Sequence, residues 1–93
     1  MELNHTMKMV KMMKRNKILL DLNIILDVFL KREPFFQDSY KVFDLCYSQK
    51  IHGIIAAHSL STLWYVLRKH LSDEECRKII SSLLNSFEIA NLT

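Results

Sequence analysis

Asp21 and Asn23 are the residues whose types and placement suggest chemistry. They follow an apolar run, KILL at residues 17–20, with no glycine or proline to ease the turn, and a second apolar run starts at once. A carboxylate at such a point has two readings. It caps the helix that follows by accepting a backbone N–H, or it is a charge presented at the tip of a buried strand. The second reading points to hard cations. Mg2+ and Mn2+ take oxygen ligands, keep several waters, and need only one or two carboxylates beside a substrate phosphate. A pair of such ions activates water and stabilises the leaving oxygen in phosphodiester cleavage.

Other chemistries are poorly served. The single glycine, Gly53, rules out a glycine-rich phosphate cradle, since neither G-x-G-x-x-G nor a P-loop can be written. The histidines (His5, His52, His58, His70) lack metal-ligand spacing, and Cys46 and Cys76 stand thirty positions apart, which argues against zinc. No G-x-S-x-G elbow occurs. Both cysteines fall on apolar helix faces and read as reduced core thiols of a cytoplasmic protein, with a single disulfide the alternative.

The net charge of +3 is unevenly placed. Of thirteen basic and ten acidic residues, Lys8, Lys11, Lys14, Arg15 and Glu2 lie within residues 1–16, which leaves nine of each sign for residues 17–93. The body therefore has no overall steering field for nucleic acid, and any such function needs local clustering. The basic, methionine-rich segment 1–16 reads as a flexible extension outside the fold, with Met13 a natural start. A basic arm touching phosphates or a membrane surface is the other reading. It has neither the apolar core nor the cleavage site of a secretory signal. No apolar run nears the roughly 18–20 residues of a membrane span, and 93 residues at 49% hydrophobic composition suit one small domain.

Several short elements must position Asp21. Residues 17–21 are too short for a helix and suit a strand buried on both faces. Residues 23–31 read as a helix capped by Asp21 or Asn23 and broken before Pro34. Phe36, Tyr40, Phe43 and Tyr47 carry helical spacing through residues 35–49. Ile54-Ile55-Ala56 reads as a second strand. A helix then runs to His70 with Ser59 or Ser61 as cap and a stripe of Leu60, Leu63, Trp64, Leu67 and Leu71. Ser72 and Glu75 form a capping-box signature for a helix whose stripe is Cys76, Ile79, Ile80, Leu83 and Leu84. Residues 87–90 close the chain as a third strand. The order β-α-α-β-α-α-β implies an α/β fold in three layers, with a short parallel sheet covered on both faces. Ligand sites on such sheets gather at the carboxyl ends of the strands, where Asp21 and the segment AAHSLST (56–62) fall.

Other polar residues carry blander readings. Asp27 reads as a solvated carboxylate, with a cleft-facing role the alternative, and Asp38 and Asp44 as the polar face of their helix. Lys31, Arg32, Arg68 and Lys69 are either a local cluster for RNA or solvated helix ends. Trp64 belongs to the core, although with Tyr65 it could stack bases. Ser61 and Thr62 either line a site or are merely polar first-turn residues.

The stretch KILLDLNIILDVFLKREPFF resembles the opening of PIN domains, the Mg2+/Mn2+-dependent ribonuclease fold that includes many toxins of bacterial toxin–antitoxin pairs. The likeness continues through DSYKVFDLCYSQKIHGIIAAHSLSTLWYVLRK and EECRKIISSLLNSFEIANLT, and so spans residues 17–93. By this resemblance Asp21 is the first metal-binding aspartate, and Asn23 the polar residue that orients it or reaches toward the site. Thr62, before Leu63, stands where the family usually places a glutamate.

The resemblance also implies that complete members continue with an acid-bearing helix and two more strands. On that reading this chain, ending at Thr93, is a C-terminally truncated PIN-like domain that lacks the other acidic ligands and is inactive or nearly so as an endoribonuclease. RNA and an antitoxin-like protein are the partners implied. Loss of the last two strands leaves residues 17–21 at an apolar sheet edge, which favours a homodimer or higher assembly through that strand and the adjacent helix face. The alternatives are a non-catalytic PIN-like interaction module and a gene remnant.

Overall fold

A computed structural model describes residues 10–14 and 17–91, with side chains described from Lys17 onward. The order is β1 (Val10–Lys14), β2 (Lys17–Leu20), α1 (Leu22–Phe29), α2 (Phe36–Tyr47), β3 (His52–Ala56), α3 (Ala57–Leu67), α4 (Asp73–Ser86) and β4 (Glu88–Ala90). The sheet runs β1-β2-β3-β4, with β2, β3 and β4 mutually parallel. This is the α/β, PIN-like β-α-α-β-α-α-β arrangement that the sequence implies, with one strand added in front. Residues 53–56 of β3 are buried in succession, so both faces of this central strand are covered.

The added strand alters one expectation. The sequence reading leaves segment 1–16 outside the fold and residues 17–21 at an open edge awaiting a second chain. In the structure, Val10–Lys14 pairs antiparallel with β2, Val10 opposite Leu20 and Lys14 opposite Lys17. The edge is paired by the chain's own N-terminal segment. Residues 1–9 lie outside the described residues.

Helix α1 is apolar almost all round, and residues 24–28 are buried without a break. Its end uses a Schellman motif: Lys31 adopts a left-handed φ of 51°, the Lys31 N–H donates to the Val28 carbonyl, and the Arg32 N–H donates to the Asp27 carbonyl. Helix α2 ends the same way, with Gln49 at φ 65°, its N–H on the Cys46 carbonyl and the Lys50 N–H on the Leu45 carbonyl. Neither helix spends a glycine on the left-handed position. Helix α3 starts directly from β3 with Ala56 as N-cap and no side-chain cap, so Ser59 and Ser61 are internal to it. Helix α4 has the full capping box of Ser72 and Glu75.

The only glycine is used for close approach. A Cβ at Gly53 would lie 2.6 Å from the Phe87 ring and 2.8 Å from Cys46 Cβ. Phe87 also packs against Phe43 at 5.5 Å between ring centroids, and Phe43 meets Phe29 edge-on at 5.4 Å. Gly53 thus lets α2, β3 and the start of β4 close on one another. Cys46 and Cys76 are free, buried thiols, and burial pushes Cys46 up to about 11 and raises Cys76 as well.

Glu88 of β4 is hydrogen-bonded to His52 of β3 at the amino end of the sheet. The two residues help line a recess of about 320 Å3 with Gln49 and Asn85, at the end of the sheet away from Asp21. The hydrogen bond from His52 holds the Glu88 carboxyl below its ordinary value, with the charges of His52 and Lys17 acting in the same direction.

Two outcomes follow from this packing. Gly53→Ala forces Phe87 and Cys46 apart and should cost about 1–3 kcal/mol in urea unfolding; an unchanged midpoint would contradict the packing. Glu88, with its folded pKa depressed, contributes stability above its unfolded pKa that is lost as pH falls through the folded value. Glu88→Gln should therefore flatten the acid limb of melting temperature against pH relative to the unsubstituted chain.

Candidate functional site

Parallel register sets the position of Asp21. Leu19 is level with Ile54, and Ile54 with Glu88, so Asp21 falls level with the last residue of β3 at the carboxyl edge of the sheet. Strand β2 stops at Leu20 because Asp21 turns the chain into α1. It is extended, at φ −72° and ψ 147°, and its Oδ2 accepts the Asn23 N–H at 2.9 Å. The capping reading of Asp21 is therefore correct as structure. It commits only one carboxylate oxygen, and the side chain remains exposed.

Asn23 is exposed beside it, and Arg32 reaches back along α1 to meet it. Arg32 Nη2 lies 3.3 Å from Asn23 Oδ1 and 3.4 Å from the Asn23 carbonyl oxygen. The same guanidinium donates from Nε to Asp27 Oδ1 at 3.0 Å, and its Nη2 is ion-paired with that oxygen at 2.9 Å. Ser39 of α2 donates to Asp27 Oδ2 at 2.7 Å. Asp27 is only 2% exposed, so its reading as a solvated carboxylate is wrong, and Arg32 is not a merely solvated helix end. The signal was available: a lone carboxylate inside IILDVFL, a helix apolar on nearly every face, has nowhere to go but the interior, and an arginine follows five residues later.

Thr62 is exposed near the middle of α3, a helix that packs against α1. Among the described residues it makes no hydrogen bond to Asp21 or Asn23. Ser61 lines a shallow depression with Leu60, Trp64 and Ile80. Trp64 is half-buried against the core, with the Arg68 guanidinium 5.8 Å from its ring centre. Tyr65 is 64% exposed beneath Lys69 Nζ at 4.5 Å. Arg68 also pairs with Asp73 at 3.2 Å, which spends part of the basic cluster locally.

A family model described as the PIN domain matches residues 17–93. The chain belongs to the PIN domain family. No curated protein and no solved structure matches it. The match covers every described element of the chain except β1. Nuclease chemistry is thus the family's general activity, and PIN domains generally depend on divalent metal.

The described residues do not fit a resident pair of such ions. Asp21 offers one exposed carboxylate and Thr62 a neutral hydroxyl. Asp27 is buried with both oxygens engaged. Among the described residues, no three His, Cys, Asp or Glu side chains converge as a metal site. One carboxylate does not balance two divalent charges; the most it holds is a single hydrated ion shared with a substrate phosphate.

The buried pair makes a stability prediction. Removing the cation from a buried carboxylate costs about 3–5 kcal/mol, less here because the Arg32 side chain is 41% exposed. Arg32→Ala should lower unfolding free energy by about 2–3 kcal/mol, and Ser39→Ala by about 1–2 kcal/mol. Chemical denaturation at neutral pH reads both, and a loss near zero for Arg32→Ala would contradict the arrangement.

Proposed function

We propose that the chain binds RNA as a PIN-type endoribonuclease unit, with Asp21 facing the scissile phosphodiester, Asn23 and Thr62 beside it, and Mg2+ or Mn2+ as the ion. A place as the toxin of a toxin–antitoxin pair, with an antitoxin-like protein as partner, belongs to the same reading. The observation that carries it is the exposed Asp21 carboxylate at the carboxyl edge of a parallel sheet. A divalent ion, when bound, would polarise the phosphate and lower the pKa of an attacking water. The chain's own contribution is to present Asp21 on a fixed turn. With one acidic ligand among the described residues, slow cleavage is expected.

A second reading is a non-catalytic interaction module that self-associates or docks a partner. It is favoured by Tyr40 and Tyr47, 47% and 43% exposed and two turns apart on α2, with Leu45 also exposed on that helix.

Asp21→Asn separates charge from capping, since asparagine caps a helix as well as aspartate does. The expected outcome is weak Mn2+-dependent cleavage of labelled RNA that Asp21→Asn abolishes without moving the melting temperature by more than a few degrees. Cleavage that survives Asp21→Asn would remove Asp21 from the reaction. RNA neither cut nor bound, together with a dimer in sedimentation, would establish the second reading instead.

A further inference from the structure

We propose that Arg32, held by the buried carboxylate of Asp27, is a positioning residue that locks the Asn23 side chain as a hydrogen-bond donor to a phosphate oxygen of RNA. This rests on the RNA reading of Asp21 and adds three residues to it: Arg32, Asp27 and Ser39. Guanidinium groups only donate, so the Asn23 atom facing Arg32 is its amide oxygen. The amide NH2 is then the group left over, and Nδ2 has no partner among the described residues. It sits on an exposed side chain whose own backbone N–H is bound by Asp21.

The lock has a fixed base. Ser39 ties Asp27 to α2, Asp27 orients the guanidinium through the Nε hydrogen bond and the Nη2 ion pair, and the Schellman turn at Lys31 returns Arg32 toward the helix it has just left. Ending α1 requires only the backbone bonds of that turn. The reach of Nη2 to Asn23, nine positions back, is not needed for capping. Those two contacts are long, so they set orientation more than they add stability. What they fix is which end of an amide faces outward, and a donor there recognises an anionic oxygen.

Two substitutions and their combination test this in the full chain, with a single-stranded RNA oligonucleotide of mixed sequence followed by fluorescence anisotropy at about 0.1 M salt, because the affinity depends on ionic strength. Arg32→Lys keeps a cation beside Asp27 but lacks the planar fork that engages Asp27 and Asn23 together. Asn23→Ala removes the donor from an exposed position and does not threaten folding. Each is expected to weaken binding about five- to tenfold, the scale of one hydrogen bond to a charged oxygen. The double substitution is expected to be no worse than either alone, because both act through one amide; a purely structural effect of Arg32 would add to the loss from Asn23. Asn23→Ala without effect overturns the proposal whatever becomes of Arg32→Lys. So do losses that add, or Arg32→Lys at full affinity while Asn23→Ala is weakened. RNA bound by the unsubstituted chain and by all variants alike defeats this inference alone; RNA not bound by the unsubstituted chain defeats the RNA reading and the donor role with it.

Discussion

A carboxylate in the middle of a buried helix is the constraint around which this fold is arranged. Asp27 occupies a position on α1 where its neighbours from Ile24 to Val28 are all removed from water. An unpaired charge there would be untenable, so the chain must return a cation and a hydroxyl to it. Arg32 and Ser39 do so, and each has a structural consequence. Arg32 requires the helix to stop and double back through a left-handed lysine. Ser39 requires α2 to pack close along α1 in one register. A leucine at residue 27 would fill similar space and call for neither partner.

The sheet shows how the same small domain handles its edges. Parallel strands are joined by long helical crossovers, and their carboxyl ends collect the turns that face solvent. Asp21 lies at such a turn, and its capping bond fixes the carboxylate rather than competing with its exposure. The amino end is closed differently, by the His52–Glu88 contact between β3 and the short β4. The two ends of the sheet are thus chemically distinct: one offers an oxygen ligand, the other an internally satisfied pair.

Much of this was legible in the sequence, for identifiable reasons. Four-residue apolar runs between amphipathic segments announce a parallel sheet, and Ser72 with Glu75 marks the start of α4 to the residue. The start of α3 was not legible, because β3 passes into helix at Ala57 with no capping side chain to mark it. Helix ends were blurred for a related reason: Lys31 and Gln49 occupy left-handed positions where glycine would have been a visible stop. Strand β1 was missed because a lysine- and methionine-rich run carries no alternation of period two. At the candidate site, Asp21 and Asn23 could be placed from strand context and family likeness together. The pairing of Arg32 with Asp27 was open to the same reading, from a lone carboxylate in an apolar helix, but its reach to Asn23 was not, because that contact exists only once the chain doubles back.

The antiparallel pairing of β1 with β2 has a kinetic consequence. It is the most sequence-local pairing in the sheet: only two positions separate Lys14 from Lys17, whereas β2 meets β3 across more than thirty residues. Hairpins close in microseconds, while parallel pairs wait on the loop-closure entropy of their crossovers. Contact with the chain's own N-terminal segment therefore carries the smaller entropic cost, and the apolar KILL strand has a local partner for the edge that its parallel neighbour leaves open.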